Sequence, residues 1–232
     1  MNKMMKWGLA SLLSLSLCSQ AMAAFTISGT RFIYEEGKKN LSVEVTNNTD
    51  NTYGGQVWVD SVGQSSTVSM VPTPPFFKVG PKQKQIVRVM KTDGGTLPSD
   101  RESLFWLNIQ EIPPKPKSEG ENVLSVAVNT RVKVFYRPKA LLDGRKGAEK
   151  KIEVVHRGGI TYLKNPTPYW FAVTKVKVNG QVISLTRDED QKLSMMAPFS
   201  EVAVSKLSAV TKNISVDTIN DWGGVDNYVL KG

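Results

Sequence analysis

An all-β chain of two immunoglobulin-like β-sandwich domains is what this sequence predicts, and three observations predict it. Short runs of alternating apolar and polar residues recur, separated by turn formers about every 8–12 residues, as sandwiches require. Helical periodicity is nearly absent, so Asp188-Glu189-Asp190 reads as a lone acidic turn. A charged stretch with two glycines, Leu142 to Lys150, follows Arg137-Pro138 and divides the chain near residue 140. The predicted units are a signal segment over 1–23, a first sandwich over 24–139 and a second, smaller one over 140–232.

The signal is read from three features. Lys3 and Lys6 form a basic start, Leu9 to Leu17 is a short apolar run, and Ala21-Met22-Ala23 supplies a small-x-small cleavage pattern. The apolar run is too short to span a bilayer, and no later segment is apolar enough, so an exported chain without membrane insertion is expected. Cys18 is the only cysteine and would leave with the signal. Disulfide and thiol chemistry are then excluded, and stability must come from apolar cores. Removing Lys3 and Lys6 leaves 28 basic against 21 acidic side chains. That surplus suits an acidic partner or a carboxylate. Nucleic acid is not indicated, because no basic-aromatic cluster follows a known binding pattern.

Taken in order, Phe25 to Tyr34 reads as a strand carrying Arg31, closed by the turn Gly37 to Asn40. Leu41, Val43 and Val45 alternate with Ser42, Glu44 and Thr46, a half-buried strand. Gln56 to Asp60 holds Trp58, the expected large core aromatic. Pro72-Thr73-Pro74-Pro75 breaks a ladder and suits an edge or crossing, where one bond can be cis. Lys84 to Lys91 and Ser103 to Ile112 are further strands. Beyond residue 140, strands are expected at Lys151 to His156, Ile160 to Leu163, Trp170 to Val178, Gln181 to Thr186, Glu201 to Ser205 and Ile214 to Ile219. Asn179-Gly180 is a two-residue hairpin signal.

One stretch stands apart. Asn122 to Tyr136 runs without Pro or Gly and alternates with period two, a strand far longer than the usual five or six residues. Its first half sets Leu124, Val126 and Val128 on one face against small polar residues on the other. A long, flat apolar strand at a sheet edge invites pairing by another chain. The connection before it, Pro113 to Val123, is polar and rich in Pro, Lys and Glu.

Catalytic constellations are missing. The single histidine, His156, stands at a strand end with no nucleophile elbow and no carboxylate placed to orient it. No clustered carboxylates suit a metal, and no glycine loop suits a phosphate. Neither an enzyme nor a cofactor is expected.

Six segments in order carry a family resemblance. They are Thr30 to Ile33, Thr73 to Pro75, Leu97 to Trp106, Arg131 to Pro138, Asn165 to Tyr169 and Thr218 to Gly223. Together they resemble the periplasmic chaperones of the chaperone–usher pathway, which assemble bacterial pili. The resemblance implies two immunoglobulin-like domains set as a boomerang, working in the periplasm. It implies donor-strand complementation, in which the long strand fills the groove of a pilus subunit until an outer-membrane usher takes the subunit over. The positions matching the groove-filling side chains are Leu124, Val126 and Val128. Those matching a basic pair that grips the subunit's C-terminal carboxylate are Arg31 and Lys133. Lys133 has the opposite parity to Leu124, so a bulge or the strand's twist is expected to reconcile them. Glu102, Arg137 and Asp221 match an interdomain salt-bridge network. A short connection before the long strand resembles the branch serving thick, rigid pili.

A structural reading stands beside this one: an exported pilus subunit or adhesion module of immunoglobulin type. Subunits of that kind carry a disulfide and a short alternating N-terminal extension and need only one domain, whereas this chain lacks the first two and is expected to have two domains. A free chaperone is expected as a soluble monomer or a self-capped dimer, and a lone subunit polymerises.

Overall fold

The computed structural model describes residues 23–63, 68–93, 96–115 and 126–231. The expected signal, Leu124 and the first residues of the long strand lie outside the described residues.

In the first domain the strands are β1 (Phe25–Ile27), β2 (Arg31–Glu35), β3 (Leu41–Asn47), β4 (Tyr53–Ser61), β5 (Met70–Thr73), β6 (Phe76–Val79), β7 (Lys84–Lys91), β8 (Ser103–Ile112) and β9 (Asn129–Arg137). They form two sheets, ordered β1-β3-β7-β5 and β2-β9-β8-β4-β6. All pairs are antiparallel except β2 with β9. The apolar parity of each strand faces the other sheet. Val43, Val45, Val87 and Val89 thus meet Val57, Leu107, Ile109 and Val134 in one core.

Two expectations fail here for reasons of parity and turn chemistry. Phe25 to Tyr34 is two strands, because Ser28-Gly29-Thr30 breaks the run: β1 pairs with β3 in one sheet and β2 with β9 in the other. Trp58 is not a core residue. Val57 occupies the inward parity of β4, and Trp58 stands half-buried on the outer face. Gly55 on the inward side leaves room for Phe77, whose ring would lie 2.2 Å from an added Cβ, so an aromatic from β6 fills that volume. The Thr73–Pro74 bond is cis.

The second domain holds β10 (Glu153–Arg157), β11 (Ile160–Lys164), β12 (Val173–Val178), β13 (Gln181–Val182), β14 (Glu201–Ala203), β15 (Ile214–Ile219) and β16 (Val225–Val229). Its sheets are ordered β10-β11-β14 and β13-β12-β15-β16. Leu163, Phe171, Val176, Leu193, Met196 and Val216 sit in its core. Asn179 and Gly180 take φ of 51° and 80°, the paired left-handed conformations of a two-residue hairpin, and Val178 pairs with Gln181 across them.

The acidic turn proves to be a helix, α1 (Arg187–Ser194). Thr186 accepts from the Glu189 amide, and Glu189 accepts in return from the Thr186 amide, a reciprocal cap. Asp188, Glu189 and Asp190 occupy the first turn, where the helix dipole favours negative charge. With eight residues and only Glu189 and Leu193 buried, the helix is too short to display a periodic apolar stripe. The signal lay in the cap, Thr-x-x-Glu.

Candidate functional site

Strand β9 organises the site. Val132, Val134 and Tyr136 face the first core, so Arg131, Lys133, Phe135 and Arg137 leave by the other face. Its register with β8 is unbroken from Gln110↔Asn129 to Ser103↔Tyr136. No bulge therefore exists in this span: Lys133 lies on the face opposite Val132 and Val134 by simple alternation.

Arg31 opens β2 and pairs in parallel register with Lys133, which sets the two cations side by side. Both reach the second domain. Arg31 Nη1 donates to the Ile219 carbonyl at 2.7 Å, and Lys133 Nζ donates to the Ser194 carbonyl at 2.7 Å. Trp106, the β8 neighbour of Lys133, lies under its ammonium with 5.6 Å from Nζ to the ring centre. Arg131 covers the same ring at 4.8 Å.

Burial and then the charge of Arg31 lower the Lys133 ammonium from 10.5 to about 8. Burial likewise lowers the Arg31 guanidinium, with Asp221 acting against it. The Nε of Arg31 is buried and has no hydrogen-bond partner among the described residues. Two desolvated cations, one with an unused donor, form a site that favours an anion.

Behind them lies an ion network. Arg137 Nε meets Glu102 Oε1 at 2.6 Å, and Nη1 meets Asp221 Oδ2 at 2.8 Å. The second oxygen of Glu102 accepts from the Trp170 amide at 2.9 Å, and its carbonyl accepts from Trp170 Nε1 at 3.1 Å. Burial holds the Glu102 carboxyl above its usual range, Arg137 offsetting part of the shift. Arg145 extends the network to Asp221 Oδ1 at 3.5 Å and to Glu149 at 2.8 Å. Glu102, Arg137 and Asp221 are thus brought together across the two domains. Arg145, Glu149 and Trp170 were not anticipated; the i,i+4 spacing of Arg145 and Glu149 was the available signal.

At the far end of β9 the strand stops at Asn129, seven residues later than expected. The Val128 carbonyl still accepts from the Glu111 amide, but Val126 to Val128 belong to no strand. Val126 is 66% exposed and Val128 37%. His156 bonds Thr161 through Nδ1.

Residues 24–142 match the family described as the pili and flagellar-assembly chaperone, PapD N-terminal domain, and residues 147–230 the pili assembly chaperone PapD, C-terminal domain. The chain belongs to the pilus-assembly chaperone family. Among curated relatives it is 45% identical over 221 residues to chaperone protein FanE of Escherichia coli, covering 94% of this chain and 96% of FanE. The crystal structure of the periplasmic chaperone SfaE aligns with a TM-score of 0.71 and 30% identity, over 90% of this chain and 100% of that one. A structure of the Salmonella enterica SafA pilin in complex with the SafB chaperone aligns with a TM-score of 0.76 and 26% identity, over 91% and 99%. The chaperone reading therefore displaces the structural-subunit reading. Arg31, Lys133 and the Glu102–Arg137–Asp221 network occupy the boundary between the two domains of this chaperone.

Proposed function

We propose that this chaperone works in the periplasm, capturing pilus subunits by lending them the free continuation of β9 and delivering them to an outer-membrane usher. The observation that carries this reading is the pairing of two features on one strand. Val126 and Val128 are exposed at its open end, and Lys133, beside Arg31, lines the interdomain boundary further along. A subunit whose sandwich lacks a strand gains a ladder of main-chain bonds from the donor and buries the aliphatics, Leu124 with them. Each fully buried aliphatic contributes about 1.5–3 kcal/mol before ordering costs. Main-chain bonds are indifferent to side chains, so one donor serves several subunits.

The subunit's C-terminal carboxylate binds Arg31 and Lys133. A carboxylate between two cations forms charge-assisted bonds and supplies an acceptor for the unused Arg31 Nε. Anchoring that end decides which aliphatic enters which groove pocket. Glu102, Arg137 and Asp221 fix the angle between units 24–139 and 140–232, hence the width of the cleft. The role is non-catalytic, and the free protein is a monomer or a self-capped dimer.

Co-expression with exported subunits from the same organism tests this. Arg31→Ala and Lys133→Ala each abolish the co-purified periplasmic complex while the chaperone itself accumulates folded. Wild-type yields of complex in both variants would end the anchor assignment.

A further inference from the structure

Element ends leave main-chain carbonyls without partners in their own helix or strand, and buried carbonyls must find one. Two part-buried carbonyls at element ends of the second domain are satisfied by the first. The Ser194 carbonyl belongs to the last residue of α1, at the negative end of the helix dipole, and it accepts from Lys133. The Ile219 carbonyl belongs to the last residue of β15, and it accepts from Arg31. The turn after β15 also touches the start of β2, where a Cβ on Gly223 would lie 3.4 Å from Thr30 Oγ1.

We infer that Arg31 and Lys133 clasp the two domains together in the unoccupied chaperone, and that a bound carboxylate must exchange with the Ser194 and Ile219 carbonyls. The inference rests on the anchor reading for the identity of the displacing group, and on these two contacts for the clasp itself. The two sides of the domain boundary then differ in kind. The Glu102–Arg137–Asp221 side is a network of ion pairs and hydrogen bonds that stays closed. The cation side is held by neutral acceptors that a carboxylate outcompetes, since charge-assisted bonds are roughly twice as strong as those to a neutral acceptor. The clasp is also incomplete. Arg31 Nε has no acceptor within it, whereas a carboxylate offers two oxygens to one guanidinium. Capture therefore releases the second domain on its cleft side, and the cleft adjusts around the subunit it holds.

Distance measurements between spin labels test this in the full exported chain. Labels at Thr52→Cys in the first domain and Val210→Cys in the second occupy exposed positions. Without ligand, Arg31→Gln and Lys133→Met each broaden the interdomain distance distribution relative to the parent, with thermal melts checking that both variants are folded. A peptide copying a subunit's C-terminus broadens or shifts the parent distribution as a free acid and leaves it unchanged as an amide. Distributions in both variants that superimpose on the parent overturn the clasp, even where the free acid binds and the amide does not. Broadening in the variants with no binding of either peptide retains the clasp and overturns the carboxylate exchange, together with the anchor reading.

Discussion

Lys133 is the side chain whose chemistry is most altered by its setting. Its ammonium falls to about 8 in the free chain because burial and Arg31 both disfavour the charge. The unfolded chain holds the proton to about 10.5, so this group alone makes folding more favourable as pH rises between those values. On the proposed reading, binding a carboxylate needs the ammonium and lifts its pKa back, so the sign for capture is opposite. Affinity for a C-terminal subunit peptide is level below about pH 8 and then falls by up to about tenfold per pH unit, read by calorimetry. Burial and Arg31 set this behaviour, and the Ser194 carbonyl and the Trp106 ring, over which Arg131 also stacks, face the same ammonium. Lys133→Arg removes the decline, since guanidinium does not titrate there. A flat profile in the parent would show that Lys133 is not part of the binding contact. Both cations were legible from the short motifs that hold them. Their bonds to Ser194 and Ile219 were not, because those acceptors are main-chain atoms and carry no residue signature.

Elements were legible in proportion to how local their causes are. Strand β8 spans Ser103–Ile112 as its alternation predicts, and the Asn179-Gly180 turn follows from backbone conformations that few residues share. The long strand is shorter than its sequence pattern: β9 begins at Asn129, opposite Gln110, and beyond Ile112 β8 offers no further strand to pair with. Alternation reports what a segment can pair with, not whether the partner is present in the same chain. On the proposed reading, Val126→Asp moves a charge into the subunit's apolar groove and lowers capture about tenfold or more. The readout is the amount of subunit co-purified per chaperone, and unchanged capture removes Val126 from the groove contact. Helix α1 went unread because its stabilisation is concentrated in the reciprocal cap and in Leu193, not in a repeating face.

The whole molecule depends on how its two cores are joined. Arg137 and Glu102 are nearly inaccessible at the boundary, with side chains 7% and 1% exposed. Removing one partner leaves the other charge buried without compensation, which costs about 3–5 kcal/mol. Arg137→Ala is therefore expected to lower unfolding stability by about 3 kcal/mol in urea titrations, with Asp221→Asn costing less because Asp221 is partly exposed. An Arg137→Ala variant as stable as the parent would mean that the network orients the domains without stabilising them. The triad itself was visible as three motif residues. The extension through Arg145 and Glu149 was not, since both lie in a stretch that reads as a charged linker.

Strand alternation, turn residues and the order of six motifs determined the fold class and the family from sequence alone. Each of those is written in local spacing or in residue type. Tertiary structure decided which main-chain carbonyls hold the cations, that Trp58 faces outward while Phe77 fills its place, and where β9 ends. These depend on atoms distant in sequence meeting across a sheet or between domains, and no pattern within one segment encodes such a meeting.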